Sequence, residues 1–237
     1  MIREYIIKEK IGTGSYGVVY KVVKKSDNQV YCLKQISLFG LTKEQIAEVK
    51  NEAEILSKLN FHYIVKYHDS FEEKNFLNIV MEYCDAGDLD GKIQKQKMKK
   101  QSLDEDYIWV TFLQILLGLA YLHRENVLHR DLKSLNIFLT KDKGIKIGDL
   151  GVSTIVNDMN ALHCTRVGTP LYLSPELVKQ IPYDYKVDIW ALGCLLYELL
   201  TLNYAFDGSN PVAIAFKISK GEYSPIPNYV NTDHKRL

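Results

Sequence analysis

The 237-residue sequence has few cysteines and almost no net charge. Its four cysteines, Cys32, Cys84, Cys164 and Cys194, lie far apart in the chain. That spacing fits no zinc site and is too sparse for a small disulfide-stapled fold, so a reducing cytosol is the expected environment. Thirty basic residues against 29 acidic ones give a net charge of +1, so no overall field attracts nucleic acid or an anionic membrane.

Long hydrophobic runs are scarce as well. Charged residues begin at the third position, and the most apolar stretch, residues 108–122, is interrupted by Thr111, Gln114 and Gly118. The sequence therefore predicts neither a signal peptide nor a membrane span. We expect a cytoplasmic protein without nucleic-acid or membrane partners.

The chain instead contains a strand-rich first third and a mainly helical remainder. β-favouring runs at residues 5–11, 18–24 and 30–36 predict an antiparallel sheet. With 46% hydrophobic residues, the chain is long enough to bury a sizeable core. We expect an α+β fold with two lobes, in which a small sheet lobe with one helix packs on a larger helical lobe.

Capping signals mark the starts of two predicted helices. Thr42 with Gln45 forms a capping box before the helix of the small lobe, and Ser102 with Glu105 repeats the pattern before a long apolar helix. Residues 188–200 are nearly all apolar and predict a helix buried at the centre of the larger lobe.

A glycine-rich run, Gly12-Thr13-Gly14-Ser15-Tyr16-Gly17, separates the first two predicted strands. A dinucleotide fingerprint would open a helix at this point, whereas Val18 and Val19 continue as a strand. A hairpin over phosphate groups is the better interpretation, because a backbone without Cβ can approach phosphates and donate its N–H groups. The alternative is a flexible turn without a ligand.

Lys34 lies on a mostly apolar strand face. Period-2 alternation places it beside Val30 and Cys32, where a buried cation needs an anion. Glu52 shares the inward stripe of the following helix and is the expected partner. The alternative is a lysine whose charged head reaches water from a sheet edge.

The most informative run is His129-Arg130-Asp131-Leu132-Lys133-Ser134-Leu135-Asn136, followed thirteen residues later by Asp149-Leu150-Gly151. This spacing is typical of phosphoryl transfer sites. Asp131 is the expected proton acceptor, Lys133 the cation against the moving phosphate, and Asn136 with the second aspartate the pair of Mg²⁺ ligands. The alternative is a polar surface turn with an ion pair, but a match over eight residues favours catalysis.

These runs resemble eukaryotic protein kinases over nearly the whole chain, and most of all the NIMA-related (NEK) serine/threonine kinases. The stretches that carry the resemblance are residues 11–17, 81–89, 129–140 and 167–170. The resemblance implies a two-lobed kinase fold, with residues 1–83 as the N-lobe and 84–237 as the C-lobe. It also implies an enzyme that uses ATP and Mg²⁺ to phosphorylate Ser and Thr hydroxyls of proteins.

The resemblance implies the nucleotide contacts too. Met81 is the expected gatekeeper, Glu82 to Cys84 the hinge that binds adenine through backbone groups, and Asp88 the ribose contact, while Val19, Cys32 and Phe138 sandwich the base. The full set implied for ATP is Ile11, Gly12, Gly14, Gly17, Val19, Cys32, Lys34, Glu52, Met81, Glu82, Cys84, Asp88 and Phe138.

Residues 149–176 resemble an activation loop. Thr165 matches a position that related kinases autophosphorylate, and Arg130 is the expected partner of that phosphate. An unmodified, solvated threonine is the alternative. Thr169 and Glu176 are implied as parts of the platform that binds protein substrates. Cytoskeletal or ciliary association is known in the family but often depends on regions outside the catalytic domain.

Family members continue past the position of residue 237 with two more helices and an arginine that pairs with the equivalent of Glu176. The resemblance therefore implies a C-terminally truncated catalytic domain with an incomplete C-lobe. Three alternatives to an active kinase follow: a non-catalytic kinase-fold binding module, an inactive truncated fragment, and a small-molecule phosphotransferase. The presence of Lys34, Glu52, Asp131, Asn136 and Asp149 favours the active enzyme.

Overall fold

The sheet of the first lobe has five antiparallel strands in the order β1-β2-β3-β5-β4. The computed structural model describes residues 2–14, 17–142, 144–150, 154–155 and 170–227, without the side chains of Glu48, Glu52 and residues 154–155. It confirms the predicted sheet. Its elements are β1 (Tyr5–Gly14), β2 (Gly17–Lys24), β3 (Val30–Ser37), helix α1 (Lys43–Lys58), β4 (Tyr67–Glu73) and β5 (Phe76–Glu82).

The two faces of this sheet are both partly buried. On the outer face, Tyr5, Val22, Leu33 and Val80 form a small core of their own. On the inner face, Ile36, Leu77 and Ile79 join the main core that continues into the second lobe. Because side chains alternate along a strand, Leu33 faces outward while Lys34 faces the other way, toward the space between the lobes.

The second lobe is mainly helical. Its elements are α2 (Leu89–Lys99), α3 (Glu105–Arg124), β6 (Val127–Leu128), β7 (Ile137–Leu139), β8 (Ile145–Ile147), β9 (Thr154–Ile155), α4 (Pro175–Lys179), α5 (Lys186–Thr201) and α6 (Pro211–Lys220). The short strands form two antiparallel pairs, β6 with β9 and β7 with β8. These pairs frame the segment that carries the expected catalytic residues.

Helices α3 and α5 form the centre of this lobe. Ile115, Leu119 and Leu122 of α3 are fully buried, as are Leu195 and Leu199 of α5, which confirms the prediction of a buried helix there. Helix α3 is long and apolar enough to cross a membrane by length and composition alone. Its contacts with α5, β6 and β8 make it a core helix of this domain.

The capping predictions have different outcomes. The Thr42–Gln45 capping box is present at α1, with both reciprocal hydrogen bonds. The box expected from Ser102 and Glu105 is wrong, because Asp104 caps α3 and its Oδ1 accepts the Tyr107 N–H at 3.1 Å. A carboxylate one residue before the helix satisfies the free N–H group and complements the positive end of the helix dipole.

An aromatic contact joins the end of α1 to the second lobe. The Phe61 ring stacks on Tyr121 of α3 with centroids 4.6 Å apart, and the Asn60 N–H donates to the Tyr121 hydroxyl at 2.9 Å. This stack gives a structural role to the segment after α1. It fixes the position of α1 relative to the helical lobe.

Candidate active site

The expected catalytic loop, residues 129–136, is held in place by the buried carboxylate of Asp188. The backbone N–H groups of His129 and Arg130 donate to Oδ2 and Oδ1 of Asp188 at 3.0 and 2.8 Å, and His123 Nε2 lies 2.8 Å from Oδ2. Asp188 is 1% exposed. Burial alone would raise its pKa, but these hydrogen bonds outweigh burial and lower the pKa below its usual value, so the anchor stays ionised.

The buried His129 connects this loop to the residue before Asp149. Its Nδ1 accepts the Asp131 N–H at 3.3 Å, so Nε2 carries the ring proton and donates to the Gly148 carbonyl at 3.1 Å. Two backbone segments are thus joined through one imidazole ring. The predicted proton acceptor and the predicted metal ligand are held in register by it.

Asp131 has one carboxylate oxygen in use and one open. Lys133 Nζ donates to Oδ2 at 2.6 Å, and Asn136 Nδ2 donates to Oδ2 at 3.1 Å and to the Asp131 carbonyl at 2.8 Å. Within the part of the chain that the structure describes, no donor reaches Oδ1. The side chain is 32% exposed, so this oxygen is accessible to a hydroxyl from solvent or substrate.

Lys34 reaches across the cleft to Asp149. Its Nζ lies 3.0 Å from Asp149 Oδ1, which brings together residues from the two lobes. Partial burial would raise the pKa of Asp149, but the nearby ammonium outweighs it and lowers the pKa. The expected pair of Lys34 with Glu52 lies outside the described side chains.

Asn136 and Asp149 fit the oxygen-ligand chemistry of Mg²⁺. Because Asn136 Nδ2 donates to Asp131, the side-chain oxygen Oδ1 of Asn136 is the atom left for a cation, and no donor to Asp149 Oδ2 is seen among the described residues. The Gly148 N–H donates to the main-chain carbonyl of Asn136 at 3.0 Å, so the two expected ligands lie on adjoining segments. Among the described residues, no group of three His, Cys, Asp or Glu side chains is placed to hold a metal ion.

Strand pairing places several expected nucleotide contacts on one face. Lys34 of β3 pairs with Val19 of β2 and Ile79 of β5, and Cys32 pairs with Met81. The predicted period-2 arrangement of Cys32 and Lys34 agrees with this register. The inner face of the sheet therefore presents apolar side chains together with the cation of Lys34 and, beside Cys32, that of Lys21.

Glu82, an expected hinge residue, makes hydrogen bonds within the protein through both its side chain and its backbone N–H. Its side chain accepts from Lys146 Nζ at 3.1 Å and from the Lys66 N–H at 2.8 Å, and its own N–H donates to the Lys66 carbonyl at 2.9 Å. The main-chain N–H of Glu82 is thus used within the protein, and nothing in these contacts involves its main-chain carbonyl. Burial raises the pKa of the Cys32 and Cys84 thiols to about 12, so both are neutral at physiological pH.

Asp88 is the N-cap of α2, a role that the sequence reasoning missed. Its Oδ1 accepts the Gly91 N–H at 2.7 Å, and no described residue donates to Oδ2. A backbone bridge joins Asp88 to Phe138 of β7. The residues expected at the ribose and at the base are therefore neighbours across two chain segments.

The glycines of the β1–β2 hairpin differ in how much space surrounds them. A Cβ on Gly17 would lie 2.1 Å from the Gln35 carbonyl oxygen, whereas a Cβ on Gly12 would lie 3.8 Å from Val19 Cβ. Gly17 is therefore needed for packing of β2 on β3. Gly14 pairs with Gly17 at the end of the hairpin, and Ile11 is 41% exposed before it.

The expected regulatory and substrate residues are only partly described. Thr165 and Thr169 lie outside the described residues. Arg130 is held by its backbone, while its guanidinium carbon lies 5.8 Å from the centroid of the Tyr183 ring. Glu176 is half-buried in the first turn of α4, where the helix dipole favours an acidic side chain.

The structure adds Asp188 to the functional residues. The sequence signal for it was an acidic residue in the first turn of an otherwise apolar helix. A charge at a buried position requires partners. Which partners it has could not be derived, because His129 and Arg130 lie 58–59 residues away in the sequence.

Comparison with known proteins agrees with this geometry. A family model described as "Protein kinase domain" matches residues 5–235. The chain is 43% identical over 228 residues to "Serine/threonine-protein kinase Nek11" of Homo sapiens, an alignment that covers 95% of this chain and 35% of that protein. It is 40% identical over 236 residues to "Serine/threonine-protein kinase Nek1" of Mus musculus, covering 100% of this chain and 20% of that protein.

A more distant organism gives a similar match. The chain is 42% identical over 231 residues to "Probable serine/threonine-protein kinase nek3" of Dictyostelium discoideum, covering 96% of this chain and 21% of that protein. The chain thus spans between 20% and 35% of the length of these three relatives.

Proposed function

Because the chain belongs to the protein kinase family, and its curated relatives are NIMA-related serine/threonine kinases, we propose that it transfers the γ-phosphate of ATP to Ser and Thr hydroxyls of proteins. The observation that carries this proposal is the state of Asp131. One of its oxygens is held by Lys133 and Asn136, and the other is open to a substrate hydroxyl.

The chemistry follows from these contacts. Oδ1 of Asp131 accepts the proton of the attacking hydroxyl, as a positioned general base does. Lys133 keeps a positive charge at 2.6 Å from the other oxygen, close to where the phosphate moves. The buried Asp188 holds the loop in place during the reaction, which lowers the cost of orientation.

The nucleotide is held between the two lobes. Lys34 binds phosphate oxygens, the hairpin of β1 and β2 covers them with backbone N–H groups, and Asp88 Oδ2 accepts a ribose hydroxyl. The base lies between Val19, Cys32 and Phe138, below the gatekeeper Met81. Asn136 and Asp149 would hold Mg²⁺, which when bound would neutralise charge on the phosphates.

Regulation and substrate binding are extensions of the same proposal. Arg130 pairs with a phosphate on Thr165, and Thr169 with Glu176 belongs to the peptide platform. Residues 1–83 act as the N-lobe and residues 84–237 as the C-lobe of one catalytic unit. Cytoplasmic proteins with accessible Ser or Thr are the substrates, and cytoskeletal or ciliary association is proposed from the likeness to NEK kinases alone.

The test is transfer of labelled γ-phosphate from ATP to casein by this 237-residue chain. The Asp149→Ala variant serves as the blank, and thermal melting of both chains shows whether they are folded. We expect phosphorylated serine or threonine at a rate well above the blank. A folded chain with no more activity than Asp149→Ala would contradict the enzyme and favour a binding module with a kinase fold.

A further inference from the structure

A buried carboxyl group connects the catalytic loop to the segment that leads into α4. Glu198 of α5 is 1% exposed, and it receives the Tyr172 hydroxyl on Oε2 at 2.5 Å and the Ser134 hydroxyl on Oε1 at 3.3 Å. Ser134 directly follows Lys133 in the catalytic loop. Tyr172 belongs to the residues just before α4. One side chain thus contacts two segments that the proposed reaction uses.

No cation offsets the charge of Glu198 at close range among the described residues. Asp90 and Lys97 of α2, Tyr204 after α5 and Cys194 on α5 itself are the other titratable groups that face it. Lys97 is directed to Asn203, with Nζ 3.0 Å from Oδ1. The carboxyl group is therefore surrounded mainly by hydroxyl groups and a second acid.

This environment changes how readily Glu198 releases its proton. Burial raises the pKa of Glu198 to about 7, with Asp90 adding to the rise, while the Tyr172 and Ser134 hydrogen bonds and Lys97 act in the opposite direction. Both protonation states are then populated near neutral pH. Only the protonated state can donate a hydrogen bond.

We propose that Glu198 is a positioning residue whose proton sets the direction of the hydrogen bonds between the catalytic loop and the segment before α4. This inference rests on the proposed kinase function for its effect on rate. The hydrogen-bond network itself does not depend on that function.

In the ionised state, Glu198 can only accept. The hydroxyls of Ser134 and Tyr172 both donate to it, so both segments are held on α5 by charge-assisted bonds.

In the protonated state, the order of donation reverses. Glu198 donates to the Tyr172 oxygen, Tyr172 donates to Ser134 Oγ at 3.0 Å, and Ser134 donates to Asp90 Oδ1 at 3.4 Å. Ser134 then turns from α5 to α2. The bond it makes there is longer, and the catalytic loop loses its direct hydrogen bond to α5.

The expected effect on catalysis has a definite sign. Above neutral pH the ionised carboxylate holds the catalytic loop and the segment before α4. The value of kcat/KM for a protein substrate should therefore rise with pH along a one-proton titration curve whose midpoint lies near 7. Since the loss of one hydrogen bond between the loop and α5 has only a modest net effect, the rise should be about threefold to tenfold.

A rate experiment compares the wild-type chain with Glu198→Gln between pH 6 and pH 8.5. Glutamine keeps the shape of the protonated acid and cannot ionise, so the variant should stay at the low-pH rate over the whole range. Titration of ATP and of other groups is common to both chains and cancels in their ratio. The same pH step in a folded Glu198→Gln chain would overturn the proposal.

An infrared experiment tests the network without any activity. The carbonyl band of a protonated carboxylic acid should disappear with rising pH in the wild type and be missing from the Glu198→Gln difference spectrum. Ser134→Ala and Tyr172→Phe each remove a donor to the ionised form, so each should move the midpoint of this band to higher pH. A midpoint that moves in neither Ser134→Ala nor Tyr172→Phe would overturn the proposal. This comparison does not need the Glu198→Gln chain, so it remains decisive if that variant fails to fold.

The two experiments separate this inference from the kinase proposal. A wild-type chain that transfers no phosphate at any pH, but whose infrared midpoint moves in Ser134→Ala, would contradict the kinase activity and support the network. An active chain with a pH-independent ratio of wild-type to Glu198→Gln rates would support the kinase activity and contradict the positioning role.

Discussion

Residues 129–136, the expected catalytic loop, and the five-stranded sheet of the first lobe are held in place in different ways. In the loop, two backbone N–H groups and His123 converge on the single carboxylate of Asp188. In the sheet, Lys34 and Cys32 are positioned by a ladder in which Val19, Ile79 and Met81 are register partners. The main-chain attachment of residues 129 and 130 thus depends on one buried carboxylate, whereas the position of the lysine is shared among many backbone bonds.

This difference determines how each region responds to substitution. A change at the anchor of the loop removes several hydrogen bonds at once and leaves buried N–H groups without acceptors, which is costly. A change of one side chain in the ladder leaves the backbone bonds intact. We therefore expect substitutions in the two regions to have different effects when activity and stability are measured on the same variants.

The largest expected effect is on rate, at Asp131. Asp131→Asn keeps the shape of the side chain but removes the acceptor for the hydroxyl proton, so kcat should fall roughly 10²–10⁴-fold. Steady-state kinetics with a protein substrate measures this, and the melting temperature should change little because the side chain is partly exposed. An unchanged kcat would show that Asp131 is not the base.

The next effect is on stability, at Asp188. Asp188→Asn removes the charge and one of the acceptors for the buried loop, and should lower the free energy of unfolding by about 2–3 kcal/mol. Denaturant titration measures this, with Asp184→Asn as the matched control at an exposed position before the same helix. Equal midpoints for the two variants would contradict the anchoring role.

A smaller effect distinguishes two glycines in the sheet. Gly17→Ala forces a methyl group against the Gln35 carbonyl and should cost about 1–3 kcal/mol, as other overpacked substitutions do. Gly12→Ala has room for its methyl group, so it should leave stability nearly unchanged and raise KM for ATP. Thermal melting and ATP titration of both variants measure this contrast. A stable Gly17→Ala chain would show that β2 can move away from β3.

The smallest effect concerns the start of α3. Asp104→Ala removes the side chain that caps the helix and should cost about 1 kcal/mol, while Ser102→Ala should change almost nothing. Both can be measured by denaturant titration, and neither should alter kcat because the site lies in another part of the lobe. A larger loss in Ser102→Ala would restore the capping box that the sequence suggested.

The sequence predicted the elements whose signals are local. The three strands before residue 38 were visible as β-favouring runs, and Thr42 with Gln45 marked the start of α1. The catalytic loop was recognisable because its residues are adjacent in the chain. The structure then brings Asp131, Lys133 and Asn136 within hydrogen-bonding distance of one another.

Other features depend on contacts between distant residues and left no clear local signal. Asp188 contacts His129 across 59 positions. The space around Gly17 is set by Gln35, which lies in a neighbouring strand. Asp104 and Ser102 are both good helix caps, and only the path of the backbone decides which of them reaches the free N–H groups.

The manner in which Asp188 holds residue 130 has a consequence for how the site can change. Asp188 accepts the main-chain N–H of Arg130, and this residue has a positive φ of 68°. The hydrogen bond that attaches the loop therefore does not use the Arg130 side chain, while the positive φ restricts replacements there to residues such as Asn that tolerate this conformation. Arg130→Asn should then leave the neighbouring Asp131 in place. If Arg130 pairs with a phosphate as proposed, that contact can be gained or lost without displacing the proton acceptor.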